Sequence, residues 1–155
     1  MPGGSSLRPL IHRMRGVTIG KNVFIGDDVY LENCYPEQIE IHDGVQIGVR
    51  NIIIAHRGGA GKVIIEKHAF IGPGSIICAI PGQTLTIGEG AVVGAACVIS
   101  TSVPPFVFLR NPPPTKVATV STPLAATKDF FEFIRGLTPV PEKKVSNLGQ
   151  EIGKG

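Results

Sequence analysis

From Ile19 onward an aliphatic side chain returns at every sixth residue, and no other feature of the chain restricts its fold so tightly. The series runs Ile19, Ile25, Leu31, then Ile41, Ile47, Ile53, then Ile65, Ile71, Ile77, then Ile87, Val93, Ile99. Glycine often follows at once, as Gly20, Gly26, Gly48, Gly72, Gly88 and Gly94. Four residues after the aliphatic comes a small or β-branched residue: Val23, Val29, Val45, Ala69, Ser75, Ala91 and Cys97. A period of six matches neither the 3.6 of an α-helix nor the two-residue alternation of a hairpin. It matches a short strand plus a turn, three of which close one triangular coil. The aliphatics then point inward and stack on their equivalents one coil away. The small residues fill the corners, and glycine is expected to relax the adjoining turn. Backbone groups are satisfied by pairing between coils. Each buried isoleucine contributes roughly 1.5–3 kcal/mol, set against the entropy of ordering the chain. The expectation is an all-β parallel β-helix of about four and a half coils over residues 17–103, with residues 1–16 as a lead-in.

The breaks in register are informative. From Leu31 to Ile41 and from Ile77 to Ile87 the step is ten, so four residues are inserted near Cys34–Gln38 and near Ile80–Gln83. From Ile53 to Ile65 the step is twelve, across His56-Arg57-Gly58-Gly59-Ala60-Gly61. Insertions in solenoids become loops, often on the binding side, so the Gly-rich stretch is expected to leave the wall and border a cleft.

After Ile99 the repeat stops. Pro104-Pro105 and Pro112-Pro113-Pro114 remove ladder donors and predict an extended segment over 104–126. A short helix is expected over 127–137, with Thr127 as N-cap, Gly136 as stop, and Phe130, Phe133, Ile134 and Leu137 on one face. Residues 138–155 read as a mobile tail.

Composition narrows the class. Gly is 20 and Pro 13, yet hydrophobic residues make up 43%, which argues against disorder. The net charge of +3 is carried by scattered bases, apart from Lys143-Lys144, so no nucleic-acid stripe is present. Three cysteines, Cys34, Cys78 and Cys97, lack C-x-x-C spacing. They read as structural thiols of a reducing compartment, neither a disulfide framework nor a zinc site. No signal-peptide pattern and no apolar run of membrane-spanning length is found, so a cytoplasmic protein is expected.

Of four histidines, His12 has no evident partner, His42 takes a position where glycine is usual, and His68 lies in a turn. His56 differs: it follows the apolar run Ile52-Ile53-Ile54-Ala55 and opens the Gly-rich departure. An imidazole with an ordinary pKa near 6.5 can accept a proton at neutral pH, and a base at a rigid edge beside a loop suits acid–base chemistry. An ordinary surface histidine fits the same spacing.

The run from about Val17 to Val117 resembles the hexapeptide-repeat acyltransferases, in particular the galactoside and maltose O-acetyltransferase branch. Three stretches carry the likeness: Ile47-Gly-Val-Arg-Asn-Ile-Ile-Ile-Ala-His56, Ile65-Glu-Lys-His-Ala-Phe-Ile-Gly72, and Ile87 through Ser100-Thr-Ser-Val-Pro-Pro105. The resemblance implies a left-handed winding and acetyl-CoA as acyl donor. It implies His56 as general base, with Phe70 in place of the family's usual Trp. It also implies Gly72, Ala95, Ser100 and Thr101 beside the pantetheine arm. At the exit the family's Ala-Gly-Asn-Pro-Ala plus a base is replaced by Leu109-Arg110-Asn-Pro-Pro-Pro-Thr-Lys116, so Arg110 or Lys116 is expected to face the cofactor phosphates. No secure counterpart of the family's acceptor-orienting Asn is found; Asp28, Glu32 and Asn33 are the nearby candidates.

The expected function is O-acetylation of a sugar or glycan-precursor hydroxyl, with an amino sugar or an antibiotic as other acceptors. A homotrimer is expected, because a slender prism needs a second wall to exclude water and closed rings are the usual homo-oligomers. No metal is expected. The same architecture serves other functions. A non-catalytic scaffold or binding module is one. A γ-carbonic-anhydrase-like zinc enzyme is another, but it needs a His-x₄-His pair, whereas His42, His56 and His68 stand 14 and 12 residues apart.

Overall fold

Twelve short strands follow the repeat, and each pairs in parallel with the strand one coil away. The computed structural model describes residues 3–55 and 61–141. The first wall holds β1 (Thr18–Ile19), β4 (Ile39–Ile41), β7 (Lys62–Ile65) and β10 (Thr84–Ile87), in that order. The second wall stacks β2 (Phe24–Ile25), β5 (Gln46–Ile47), β8 (Phe70–Ile71), β11 (Val92–Val93) and β13 (Phe108–Leu109). The third holds β3 (Tyr30–Leu31), β6 (Ile52–Ile54), β9 (Ile76–Cys78) and β12 (Val98–Ile99). Successive strands go to successive walls, which makes the chain a parallel β-helix.

The register matches the arithmetic of the repeat. Ile19, Ile41, Ile65 and Ile87 form one inward column; Ile25, Ile47, Ile71, Val93 and Leu109 a second; Leu31, Ile53, Ile77 and Ile99 a third. The twelve repeat aliphatics are all buried. The first wall adds another inward column that the six-residue count does not name: Val17, Ile39, Val63 and Leu85. Each lies two residues before its core aliphatic, the place that Val23, Val45, Ala69 and Ala91 fill on the second wall.

Glycine has a different task from the one expected. A Cβ on Gly72 would stand 2.5 Å from the Gly94 carbonyl carbon and 2.6 Å from the Ala95 nitrogen; on Gly26 it would meet Gly48 and Val49 backbone at 2.7 Å. Glycine therefore lets stacked coils approach, while the left-handed turn positions lie elsewhere. Those positions stack as Asn22, Gly44, His68, Gly90 and Phe106 at one corner, and as Asp28, Arg50, Gly74 and Ala96 at the next. Large and small residues alternate along the first stack, since a Cβ on Gly44 would strike the His68 ring and one on Gly90 the Phe106 ring.

The lead-in forms an element that the periodicity does not reveal. Helix α1 (Leu7–Met14) lies at the open end of the first coil. Strand carbonyls there have no preceding coil to bond. Arg13 Nε donates to the Ile19 carbonyl at 3.0 Å, Arg8 Nη1 to that of Ile25 at 3.1 Å, and Arg15 Nη2 to that of Leu31 at 3.2 Å. One guanidinium thus serves each wall. Ile25 N–H also donates to the Gly4 carbonyl at 2.8 Å. This is the capping that a solenoid requires.

At the other end the first wall gains a bridge between Ile87 and Val103, and the second gains β13. Among the described residues the third wall has no fifth rung. Continuing the register of Phe108 on Val92 would bring Pro112-Pro113-Pro114 alongside Ala96-Cys97-Val98, and proline cannot supply the ladder N–H groups. Val98 accordingly keeps 69% of its surface in solvent.

The chain divides into two compact units, Met1–Asn111 and Pro112–Gly155. In the second, β14 (Ala118–Val120) pairs antiparallel with β15 (Leu137–Pro139). Helix α2 (Phe130–Arg135) lies between them, and Gly136 follows it. Its N-cap is Asp129, not Thr127: the Asp129 carboxylate accepts the Glu132 N–H at 2.8 Å, and Glu132 in turn accepts the Lys128 N–H at 2.8 Å. The Thr127 hydroxyl instead donates to the Leu124 carbonyl at 2.7 Å. A carboxylate at a helix start is favoured by the macrodipole as well as by hydrogen bonding.

Candidate functional site

All three insertions fall at one corner of the prism, where the third wall turns into the first. β3 ends at Leu31 and β4 begins at Ile39; β6 ends at Ile54 and β7 begins at Lys62; β9 ends at Cys78 and β10 begins at Thr84. With every insertion at this edge, the other two corners keep their register. Ala55 and Ala79 are buried where the chain leaves β6 and β9, so small side chains let the loops start close to the axis. His56 and the Gly-rich residues 57–60 lie outside the described residues.

Beside this corner the outer surface of the third wall carries a shallow hollow of about 610 Å³ lined by Ile54, Ile76, Cys78, Ala79, Ile80, Pro81, Val98 and Ser100. Among the described residues that line it, Ser100 supplies the one hydroxyl. The missing fifth rung leaves this hollow open toward Val98. Its apolar lining is written in the sequence: outward positions of the third wall read Tyr30, Ile52, Ile76 and Val98, whereas those of the first read Thr18, Glu40, Ile64 and Thr86. An apolar residue immediately before the core aliphatic is the signal.

Within the first unit the remaining sequence candidates sit on different walls and corners. Phe70 projects from the second wall and is partly exposed. Gly72 and Ala95 stack at the corner between the second and third walls. Ser100 and Thr101 follow β12 at the insertion corner. Arg110 follows β13 and is exposed. Lys116 is exposed and belongs to the second unit. Asp28 occupies a left-handed turn position, with Arg50 Nε 3.8 Å from its carboxylate. Glu32 is buried at 1% exposure and accepts the Cys34 N–H at 2.8 Å. Asn33 accepts from Arg15.

The corner beneath Asp28 contains a buried polar ladder. Asn51 Nδ2 donates to the Gly48 carbonyl at 2.9 Å, and Asn51 Oδ1 accepts the Ser75 N–H at 2.9 Å. Ser75 Oγ donates to the Gly94 carbonyl at 3.0 Å and accepts the Cys97 N–H at 3.2 Å. Every rung there is satisfied, which holds Gly72 and Ala95 in place.

His12 does have a partner. Its Nδ1 stands 3.1 Å from Arg15 Nη1, and burial, then the Arg15 charge, hold its pKa below the usual 6.5. Among the described residues no group of three or more His, Cys, Asp or Glu is placed to hold a metal ion. No helix among them is long and apolar enough to cross a membrane.

The known proteins similar to this chain include the following three. The chain is 31% identical over 114 residues to "Bifunctional protein GlmU" of Shouchella clausii, covering 65% of this chain and 24% of that protein. It is 31% identical over 100 residues to "Putative acetyltransferase YvoF" of Bacillus subtilis, covering 61% and 56%. It is 32% identical over 91 residues to "Putative acetyltransferase C18B11.09c" of Schizosaccharomyces pombe, covering 57% and 36%. No family model matches. The chain spans between about a quarter and about half of the length of these relatives. What unites the match is a β-helical chain similar to proteins that carry acetyltransferase in two of their names.

Proposed function

We propose that the protein is an acetyl-CoA-dependent acyltransferase acting on the hydroxyl of a sugar or glycan precursor, with His56 as general base. The observation that carries this reading is the insertion corner. Ile54, two residues before His56 in the sequence, lines the open apolar hollow that Ser100 borders. The likeness to acetyltransferases supports it. The imidazole takes the proton of the acceptor hydroxyl as its oxygen attacks the thioester carbonyl. The carbon–sulfur bond then breaks, and the proton passes to the departing thiolate. Coenzyme A leaves as free thiol and the acceptor keeps the acyl group.

The donor site joins two copies of the chain in a homotrimer. Phe70 lies on the second wall and Ser100 with Thr101 at the insertion corner, so one thioester meets both sets only in a groove between neighbouring prisms. The outward pattern supports packing of this kind. The second wall presents Phe24, Gln46, Phe70, Val92 and Phe108, and the third Tyr30, Ile52, Ile76 and Val98, while the first is mostly polar. Two apolar faces flanking one corner fit a closed ring. Arg110 and Lys116 are assigned to the phosphates, and Asn33 and Asp28 to the acceptor, with Glu32 supporting the loop from beneath.

Thiol release from acetyl-CoA with a panel of sugar acceptors tests the reading. Turnover with at least one acceptor is expected, reduced by about 10²–10⁴ in His56→Ala. No thiol release with any acceptor, or full activity in the variant, would overturn it.

A further inference from the structure

Helix α1 has two faces with different partners. Arg8, Arg13 and Arg15 turn onto the carbonyls of the first coil, and Arg8 also pairs with Asp27. The other face carries Leu7, Leu10, Ile11 and Met14, spaced i, i+3, i+4, i+7, and these keep 42–73% of their surface in solvent. Single exposed apolar residues are ordinary, but a continuous stripe on a helix marks a contact surface.

We propose that this stripe binds the same stripe of a second copy, so that two rings of prisms meet base to base through their α1 helices. A helix stripe is self-complementary about a two-fold axis, which is what an isologous contact requires. Charge agrees: the guanidiniums that would repel a second base are engaged by carbonyls and by Asp27. Area sets the stoichiometry. Four such side chains expose on the order of 400 Å² per copy, so one helix pair removes about 800 Å², the level of a packing contact, whereas three pairs around one axis remove about 2,400 Å², above the roughly 1,200–2,000 Å² of a stable interface. The six-chain assembly therefore rests on the ring proposed above, while the helix pairing is a separate contact on a different surface.

Sedimentation of the full chain beside Leu10→Asp with Met14→Glu tests it, with circular dichroism and thermal melting to show that both chains fold. Two exposed positions are used, so the core columns are untouched. Six chains falling to three in the variant is the expected result. Two chains falling to one would support the pairing and remove the ring. Three chains in both proteins, or one in both, would overturn the pairing. Sedimentation of the wild type, but not the variant, with phosphatidylcholine–phosphatidylglycerol vesicles, at a mass never above one ring, would overturn it in favour of a lipid surface.

Discussion

Gly72 and Gly74 lie two residues apart at one corner and are glycine for unrelated reasons. At Gly72 a methyl group would enter the backbone of the neighbouring coil; at Gly74 nothing stands within 4 Å, but φ is +69°. Gly72→Ala must push two coils apart, an overpacking cost of about 1–3 kcal/mol or more, whereas Gly74→Ala carries only the left-handed penalty of roughly 1–2 kcal/mol. Denaturant midpoints of the two variants should rank in that order, and the reverse order would refute the close-approach account. The repeat disclosed where such glycines fall but not why. Both kinds occupy turn-like positions, and only the coil next door tells steric exclusion from backbone conformation. Likewise Asn51 and Ser75 look like ordinary corner residues in one dimension, because three of their four bonds reach 19 to 24 residues along the chain.

At the level of elements, the twelve strands were legible because one side chain in six decides them. Helix α1 was not. It is one short piece, Pro9 sits inside it and no side chain caps its start, so local signals are faint. Its reason for existing is the first coil's unpaired carbonyls, a tertiary demand. Arg13→Ala should remove the donor to the Ile19 carbonyl and cost about 1.5–3 kcal/mol, the usual worth of a charged hydrogen bond. An unchanged melting curve would show that the cap is idle. His12 adds a pH dependence. Its neutral Nδ1 can accept from Arg15 at 3.1 Å, and its pKa is lowered from 6.5. The unfolded chain therefore takes up this proton at higher pH than the folded one, so stability present above about pH 6.5 declines as the pH falls through the folded value. Thermal melts between pH 7.5 and 5 should show a smaller acid-induced loss in His12→Gln, which keeps an acceptor but does not titrate. Equal losses in both proteins would assign the acid sensitivity elsewhere.

For the whole molecule, the period of six specified three walls, their order and their register, but not the hand of winding, since mirror-related coils stack the same side chains. The site was legible only in part. The insertion corner could be counted from the step lengths, yet Phe70 and Ser100 proved to lie on different sides of one prism, and sequence carries no symmetry operator. Mixing inactive copies addresses this. If His56→Ala and Phe70→Ala each lose turnover because both residues serve one groove between copies, co-refolded equal mixtures should regain about a quarter of their sites, those pairing an intact corner with an intact wall. No recovery in a mixture shown to contain hybrid assemblies would place both residues in the same copy. The clustering of every insertion along one seam has a further consequence for how such a chain can change. Doubling a loop's length adds only about 0.6 kcal/mol of closure entropy, and here each loop joins the third wall to the next strand of the first. For the proposed activity, new acceptor preferences can therefore be acquired by rewriting that seam alone, leaving the other two edges as a fixed frame.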